Sequence, residues 1–200
     1  MRIVLASRSP RRKALLEALG LTFDVIASEA EERLDGPPAA LVIENARAKR
    51  DDVAARLAEP ALVIGADTLV FLDGQALGKP NDIDEARTML TRLSGKTHEV
   101  LTGLSLIDAG SGNTAEGYER TRVTFRSLDP DDINTFVQTV HPIDRAGAYT
   151  VDGPGSLLVA RYEGCYQNVL GFPVVRFDRL LRELGHSLFA LMDGGRSVFL

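Results

Sequence analysis

Ile3-Val4-Leu5-Ala6-Ser7-Arg8-Ser9-Pro10-Arg11-Arg12-Lys13 passes from a short apolar run through a polar turn into a helical pattern, and this passage decides the fold. Ser9 is a good N-cap, Pro10 suits the first helical position, and Leu15, Leu16 and Leu19 form one apolar face that closes at Gly20. A strand, a tight turn and a helix follow from it. The basic residues sit at the positive pole of that helix, where each cation costs about 0.3–1 kcal/mol unless an anion lies nearby. Free backbone N–H groups, serine hydroxyls and two guanidiniums at this terminus make a phosphate cradle, and the plainer reading is a solvated basic turn.

Working outward, residues 22–27 read as a second strand, followed by an acidic loop with Glu29, Glu31 and Glu32. Pro37 and Pro38 open a long helix whose stripe holds Val42, Ala46, Val53 and Leu57, with Lys49 on the same face. Two readings of Lys49 stand: its ammonium snorkels past the core, or it points into a pocket. Ala61-Leu62-Val63-Ile64-Gly65-Ala66 is the continuous apolar run of a central strand buried on both faces, with Asp67-Thr68 at its end, where ligands gather in open α/β sheets.

Beyond a turn at Asp73-Gly74, Lys79 precedes Pro80 in a rigid extended loop, and a helix capped by Asp82 with Glu85 runs to Ser94-Gly95. Residues 97–128 read as a hairpin lobe, with strands at 98–102 and 121–125 around a turn at Gly110 to Gly112. Asp129-Pro130 start another helix, 147–155 form a glycine-punctuated loop, 157–160 a strand and 173–184 an apolar helix. The tail 186–200 carries no assigned element. Strands and helices do not strictly alternate, so the expected fold is α/β: one domain over 1–200, with a mixed twisted sheet flanked by helices.

The chain has 200 residues, 44% hydrophobic and 26% charged, an ordinary composition for a soluble globular protein, so a folded chain is expected. Its formal net charge of −5 disfavours duplex nucleic acid as a partner but allows a local basic pocket for a phosphorylated small molecule. Cys165 is the single cysteine, so an intrachain disulfide is impossible and a reducing cytoplasm is the expected setting. The start lacks a signal-peptide core and the chain lacks a membrane-spanning apolar stretch, so no membrane is expected.

The chemistry rests on Asp67 and Glu32, one ending a buried strand and the other in a loop after a strand, so that both reach one edge of the sheet. Together they suit Mg²⁺ or Mn²⁺, because hard cations serving phosphate chemistry need only one or two carboxylates plus water and substrate oxygens. A solvated loop acid is the alternative for Glu32. Ser94-Gly95-Lys96-Thr97 is not a P-loop, since Leu90 stands where that motif needs glycine and the stretch ends a helix instead of opening one. The histidines, at 98, 141 and 186, show no zinc spacing, and no serine has a nucleophile elbow. By elimination the nucleophile is a water positioned by a carboxylate.

Leu5-Ala6-Ser7-Arg8-Ser9-Pro10-Arg11-Arg12, Asn45-Ala46-Arg47-Ala48-Lys49, Gly65-Ala66-Asp67-Thr68, Gly78-Lys79-Pro80, Leu93-Ser94-Gly95-Lys96-Thr97-His98, Asp144-Arg145-Ala146-Gly147-Ala148-Tyr149 and Asn168-Val169-Leu170-Gly171-Phe172-Pro173 occur in that order. As a set they resemble the Maf family of nucleoside triphosphate pyrophosphatases, from about residue 3 to 184. The resemblance implies an ITPase-like fold with two lobes around a central cleft, a homodimer, and hydrolysis between the α- and β-phosphates with a divalent cation. It makes Asp67 the proton acceptor, with Glu32 placing metal or water and Lys79 beside them. Ser7, Arg12, Lys49 and Lys79 grip phosphates.

By the same resemblance Arg11, Thr68 and Asp152 govern the choice of base. Arg11 and Thr68 look like the branch acting on dTTP and UTP, whereas Asp152 stands where that branch has glutamine and looks more like the 7-methyl-GTP branch. An amide both donates and accepts toward a pyrimidine edge, and a carboxylate only accepts. The reading leans to dTTP and UTP. The competing readings are 7-methyl-GTP hydrolysis, a nucleotide-binding regulator of septum formation with little turnover, and a nonspecific phosphate hydrolase.

Overall fold

The computed structural model describes residues 1–192, and its centre is one seven-stranded mixed sheet. In chain order the elements are β1 Ile3–Ala6, α1 Pro10–Ala18, β2 Asp24–Val25, α2 Pro38–Ala54, β3 Leu62–Leu72, β4 Gln75–Leu77, α3 Ile83–Leu93, β5 Thr97–Asp108, β6 Asn113–Phe125, α4 Pro130–Val140, β7 Val159–Glu163, α5 Tyr166–Val169, α6 Val174–Glu183 and α7 Leu188–Leu191. Strand order is β2-β1-β3-β5-β6-β7, with β4 also on β3; β1 runs parallel to β2 and β3, and the other pairings are antiparallel.

The opening folds as its residues direct. The Ser9 hydroxyl accepts from the Arg12 backbone N–H at 3.4 Å, Pro10 starts α1, and Gly20 leaves the helix with φ 70°. Besides the hairpin strands, which lengthen from 98–102 and 121–125 to Thr97–Asp108 and Asn113–Phe125, three strand bounds differ from the expectation. The second strand shrinks from 22–27 to Asp24–Val25 because β1, its only partner among the described residues, ends at Ala6. The final strand moves from 157–160 to Val159–Glu163, since Leu157 and Leu158 lie in a 3₁₀ turn, Gly153–Leu158, and Leu158 is buried.

The third difference bears on function: β3 does not end before Asp67 but continues through Leu72. β5 pairs with it from Leu62 to Phe71, and an Asp73–Gly74 turn with φ 52° and 78° folds β4 back onto its end. On its other edge β3 pairs with β1 at residues 62–65 and with β4 at 70–72. Residues 66–69 therefore have no strand partner there among the described residues, which leaves a notch.

Alternation along β3 sends Leu62, Ile64, Ala66, Thr68 and Val70 to one face. There α1 and α6 pack over Ile64 and Leu104, while α3 and α4 pack over Val70, Val100 and Phe125. Polar Thr68 and Thr102 lie between these two clusters, so the face divides into two lobes around a cleft. The 97–128 hairpin extends the same sheet, β5 pairing with β6 along their whole lengths. Residues 193–200 of the unassigned tail lie outside the described residues; before them α7 packs Leu188 into the α1–α6 cluster.

The opposite face is covered by α2, seated directly on backbone. A Cβ on Gly65 would lie 2.0 Å from the Ala46 carbonyl oxygen, and one on Gly103 would lie 2.2 Å from that of Val42. Buried Arg50 fastens the helix through Ser105 Oγ at 2.7 Å and Glu116 Oε1 at 3.1 Å. Gly103 is the β5 partner of Asp67, so this close seat is also what brings α2 to the notch. Gly103→Ala is expected to destabilise the fold by about 1–3 kcal/mol through overpacking. Thermal unfolding checks this, and an unchanged midpoint would show that the close seat is not needed.

Candidate active site

A cavity of about 570 Å³ opens at the notch. Ser7, Arg11 and Arg12 reach it from the start of α1, Glu32 from the acidic loop, Lys49 from α2, Asp67 and Thr68 from β3, and Lys79 from the loop after β4. Asp152 does not line it. Its carboxylate accepts from the hydroxyl of Thr150, a residue of the wall, and stands near enough to Arg11 to offset part of the lowering that burial and Arg145 impose on that guanidinium's pKa.

Asp67 is 2% exposed. Its Oδ1 accepts from Lys49 Nζ at 2.6 Å and its Oδ2 from Asn45 Nδ2 at 2.9 Å. Asn45 also accepts from the Arg33 N–H at 3.0 Å and donates to the Arg33 carbonyl at 2.9 Å, tying the acidic loop to α2. Lys49 Nζ donates to Glu32 Oε1 at 2.7 Å as well, while Lys79 Nζ stands 3.7 Å from Glu32 Oε2. Of the two readings of Lys49, the geometry is the pocket.

Burial pushes the Glu32 carboxyl upward, but Lys49, Lys79 and Arg12 outweigh it and hold the group below its ordinary value. Glu32 is thus not a free loop acid. Arg12, 8% exposed, donates from Nε to the Gly171 carbonyl at 2.8 Å, from Nη1 to Ser7 Oγ at 3.2 Å and from Nη2 to Thr68 Oγ1 at 2.9 Å. Burial lowers its pKa while Asp67 and Glu32 raise it, with the net effect downward. Around the cavity Arg8, Arg11, Arg12, Lys49, Lys79 and Arg145 face Glu29, Glu31, Glu32, Asp67 and Asp144, an excess of positive charge that favours an anionic ligand.

The cradle is built differently from the expectation. In the first turn of α1, Pro10 has no N–H, and the N–H groups of Arg12 and Lys13 are taken by Ser9 at 3.4 and 3.2 Å. Side chains therefore carry most of the anion-facing donors. Thr68, expected to read a base, also bonds Thr102 Oγ1 at 2.9 Å, and Thr102 in turn donates to the Asn168 carbonyl at 3.0 Å. Asn168, fully buried, donates to the Val100 carbonyl and to Thr121 Oγ1, both at 2.9 Å.

Reading the residues alone assigned no role to Asn45, Asn168 or Arg145. Asn45 could have been found, for it precedes Lys49 by four residues on the same helix face. Asn168 and Arg145 stand in irregular chain, which no periodicity marks. Val70, Val100, Tyr149, Val151, Val169 and Leu170 give the cavity an apolar wall. Tyr149 Oη bonds His98 Nε2 at 2.7 Å, and burial lowers His98 to about 4, so this imidazole is neutral near pH 7 and serves the wall.

A family model, Maf-like protein, matches residues 2–184. The dTTP/UTP pyrophosphatase of Moorella thermoacetica is 48% identical over 186 residues, spanning 92% of this chain and 95% of the relative. That of Pelotomaculum thermopropionicum is 45% identical over 188 residues, spanning 93% and 98%. Among solved structures, a HAM1 protein from Coxiella burnetii gives a TM-score of 0.44 at 18% identity over 62% of this chain and 73% of that one.

Proposed function

The chain belongs to the Maf-like protein family, and from that premise we propose that it hydrolyses the α–β phosphate bond of a nucleoside triphosphate, dTTP or UTP, to the monophosphate and pyrophosphate. The observation that carries this reading is Asp67, a buried carboxylate fixed by Lys49 and Asn45 at a notch crowded with cations. The apolar wall receives the base. Arg12, Lys49, Lys79 and Ser7 hold the triphosphate oxygens, with Lys49 and Lys79 drawn from Glu32 and Asp67 toward the arriving anion. Asp67 then takes the proton from a water aimed at phosphorus, while the cations offset the charge that grows on the phosphate oxygens.

Asp67 and Glu32, held to one ammonium, converge closely enough to share a hard divalent cation with substrate oxygens and water; no group of three metal-binding side chains occurs among the described residues, so an all-protein cage is absent there. Mg²⁺ or Mn²⁺, when bound, would polarise the phosphate oxygens. Asp152, the residue at odds with the dTTP/UTP branch, bonds Thr150 of the wall and acts on Arg11 through its charge, so the choice of dTTP and UTP rests on the likeness of Arg11 and Thr68 to that branch. A homodimer, on the family resemblance, and a cytoplasmic setting, on the single Cys165, are part of the same proposal.

The test is a panel of dTTP, UTP and 7-methyl-GTP, scored separately for pyrophosphate and orthophosphate. Pyrophosphate equal to monophosphate is expected, with dTTP and UTP turned over fastest and activity lost on chelation and restored by Mg²⁺ or Mn²⁺. Orthophosphate as the product would overturn the reading, and so would nucleotide binding without turnover.

A further inference from the structure

Arg145 lines the same cavity, yet the mechanism above gives it no task. Its side chain is 22% exposed. Nε and Nη1 are shielded from solvent and have no hydrogen-bond acceptor, the nearest carboxylate being the mostly exposed Asp144, whose Oδ1 lies 3.4 Å from Nε. Donors so placed remain unsatisfied until an acceptor arrives.

The position is built rather than incidental. The Gly147 N–H donates to the Gly78 carbonyl at 3.0 Å, so the segment carrying Arg145 is tied to the loop carrying Lys79. Ala148 is fully buried at φ 59°, a left-handed conformation that a side chain adopts at a cost and that the surrounding packing enforces. On the other side Arg11 reaches the cavity from α1, near enough that, after burial, Arg145 is the largest influence lowering its pKa. Two guanidiniums thus share one opening.

We propose that Arg145 is a substrate-binding residue that, with Arg11, clamps the triphosphate tail at the mouth of the cavity. The ligand is a polyanion: Asp144 pairs with Arg145, and Asp144 and Asp152 offset part of the charge on Arg11, yet Nε and Nη1 of Arg145 still have no hydrogen-bond acceptor, which phosphate oxygens would supply to the fork. This rests on the function proposed above, for it names a further contact to the same nucleotide.

Binding to the intact chain is measured by calorimetry with the α,β-imido analogues of dTTP, UTP and GTP, which do not require turnover. Arg145→Ala is expected to weaken each analogue by about 10–100-fold, by a common factor, because the lost bonds are charge-assisted and made to the tail. Arg145→Lys keeps the charge without the fork and is expected to lose severalfold less; it carries the test if the alanine variant does not fold, as thermal unfolding will show. Unchanged affinity would overturn the proposal, as would a loss confined to one base, which would make Arg145 a reader of the base. Failure of the two readings is separable: a wild-type chain that binds the analogues but releases no pyrophosphate from dTTP defeats the function and leaves the clamp, whereas absence of binding defeats both.

Discussion

Asp67→Asn is expected to lower the rate of pyrophosphate release by about a hundred- to ten-thousand-fold, the range a positioned general base supplies. The substitution keeps the shape of the side chain and removes its capacity to take a proton. Lys49 keeps Glu32 as a partner at 2.7 Å, and Arg12 keeps its bonds to Ser7, Thr68 and Gly171, so the phosphate grip survives. Analogue binding should therefore change only severalfold while kcat collapses.

A structural cost accompanies this change and can be separated from it. If the new amide turns its oxygen to Lys49, its NH₂ meets that of Asn45, whose orientation is locked because both ends of that side chain bond Arg33. One unsatisfied buried donor costs about 1–3 kcal/mol, which lowers the unfolding midpoint without emptying the folded state. Turnover within a fewfold of wild type in a folded Asp67→Asn variant would remove Asp67 from the role of base.

Much of this site was legible because its chemistry violates local preference. Cations at a helix N-terminus, a lysine on an apolar stripe and an aspartate interrupting a buried run each break a rule, and Arg12, Lys49 and Asp67 meet in one cavity. The fold was legible where caps and periods agree: Ser9-Pro10, Pro37-Pro38, Asp82 with Glu85 and Asp129-Pro130 stand where α1, α2, α3 and α4 begin. The length of β3 was not legible. Asp67-Thr68 reads as a strand end in one dimension, and only the ten-residue pairing with β5 carries the strand past it.

The 3₁₀ turns and the Asn168 bonds were illegible for a different reason. Their residues answer to contacts far along the chain, such as Asn168 with Val100 and Thr121, and no local spacing encodes those.

Lys49→Met should give the largest loss of stability of any single change at the notch. Methionine fills nearly the same volume, so packing is kept and only the ammonium is lost. That ammonium stands 2.6 Å from Asp67 and 2.7 Å from Glu32, with its side chain 10% exposed. Removing one partner of a buried ion pair costs about 3–5 kcal/mol, here chiefly because Asp67, its side chain 3% exposed, stays desolvated, while Glu32 at 35% keeps water and Lys79. For a domain of this size that is a fall in the unfolding midpoint of roughly 6–20 °C.

The pH dependence distinguishes this cause from a packing defect. In the wild type, Glu32 is held below its ordinary value, so it contributes stability above the unfolded carboxyl range and loses it as pH falls through the folded value. Without Lys49 the two carboxylates repel, protonation of one relieves them, and the penalty is full near neutrality and fades as pH drops into the carboxylate range. The midpoint gap between wild type and Lys49→Met should therefore be wide at pH 7 and narrow toward pH 4. A gap of equal size at both would assign the loss to packing, and no gap at all would mean that Lys49 is not the ion that holds Asp67 and Glu32 together.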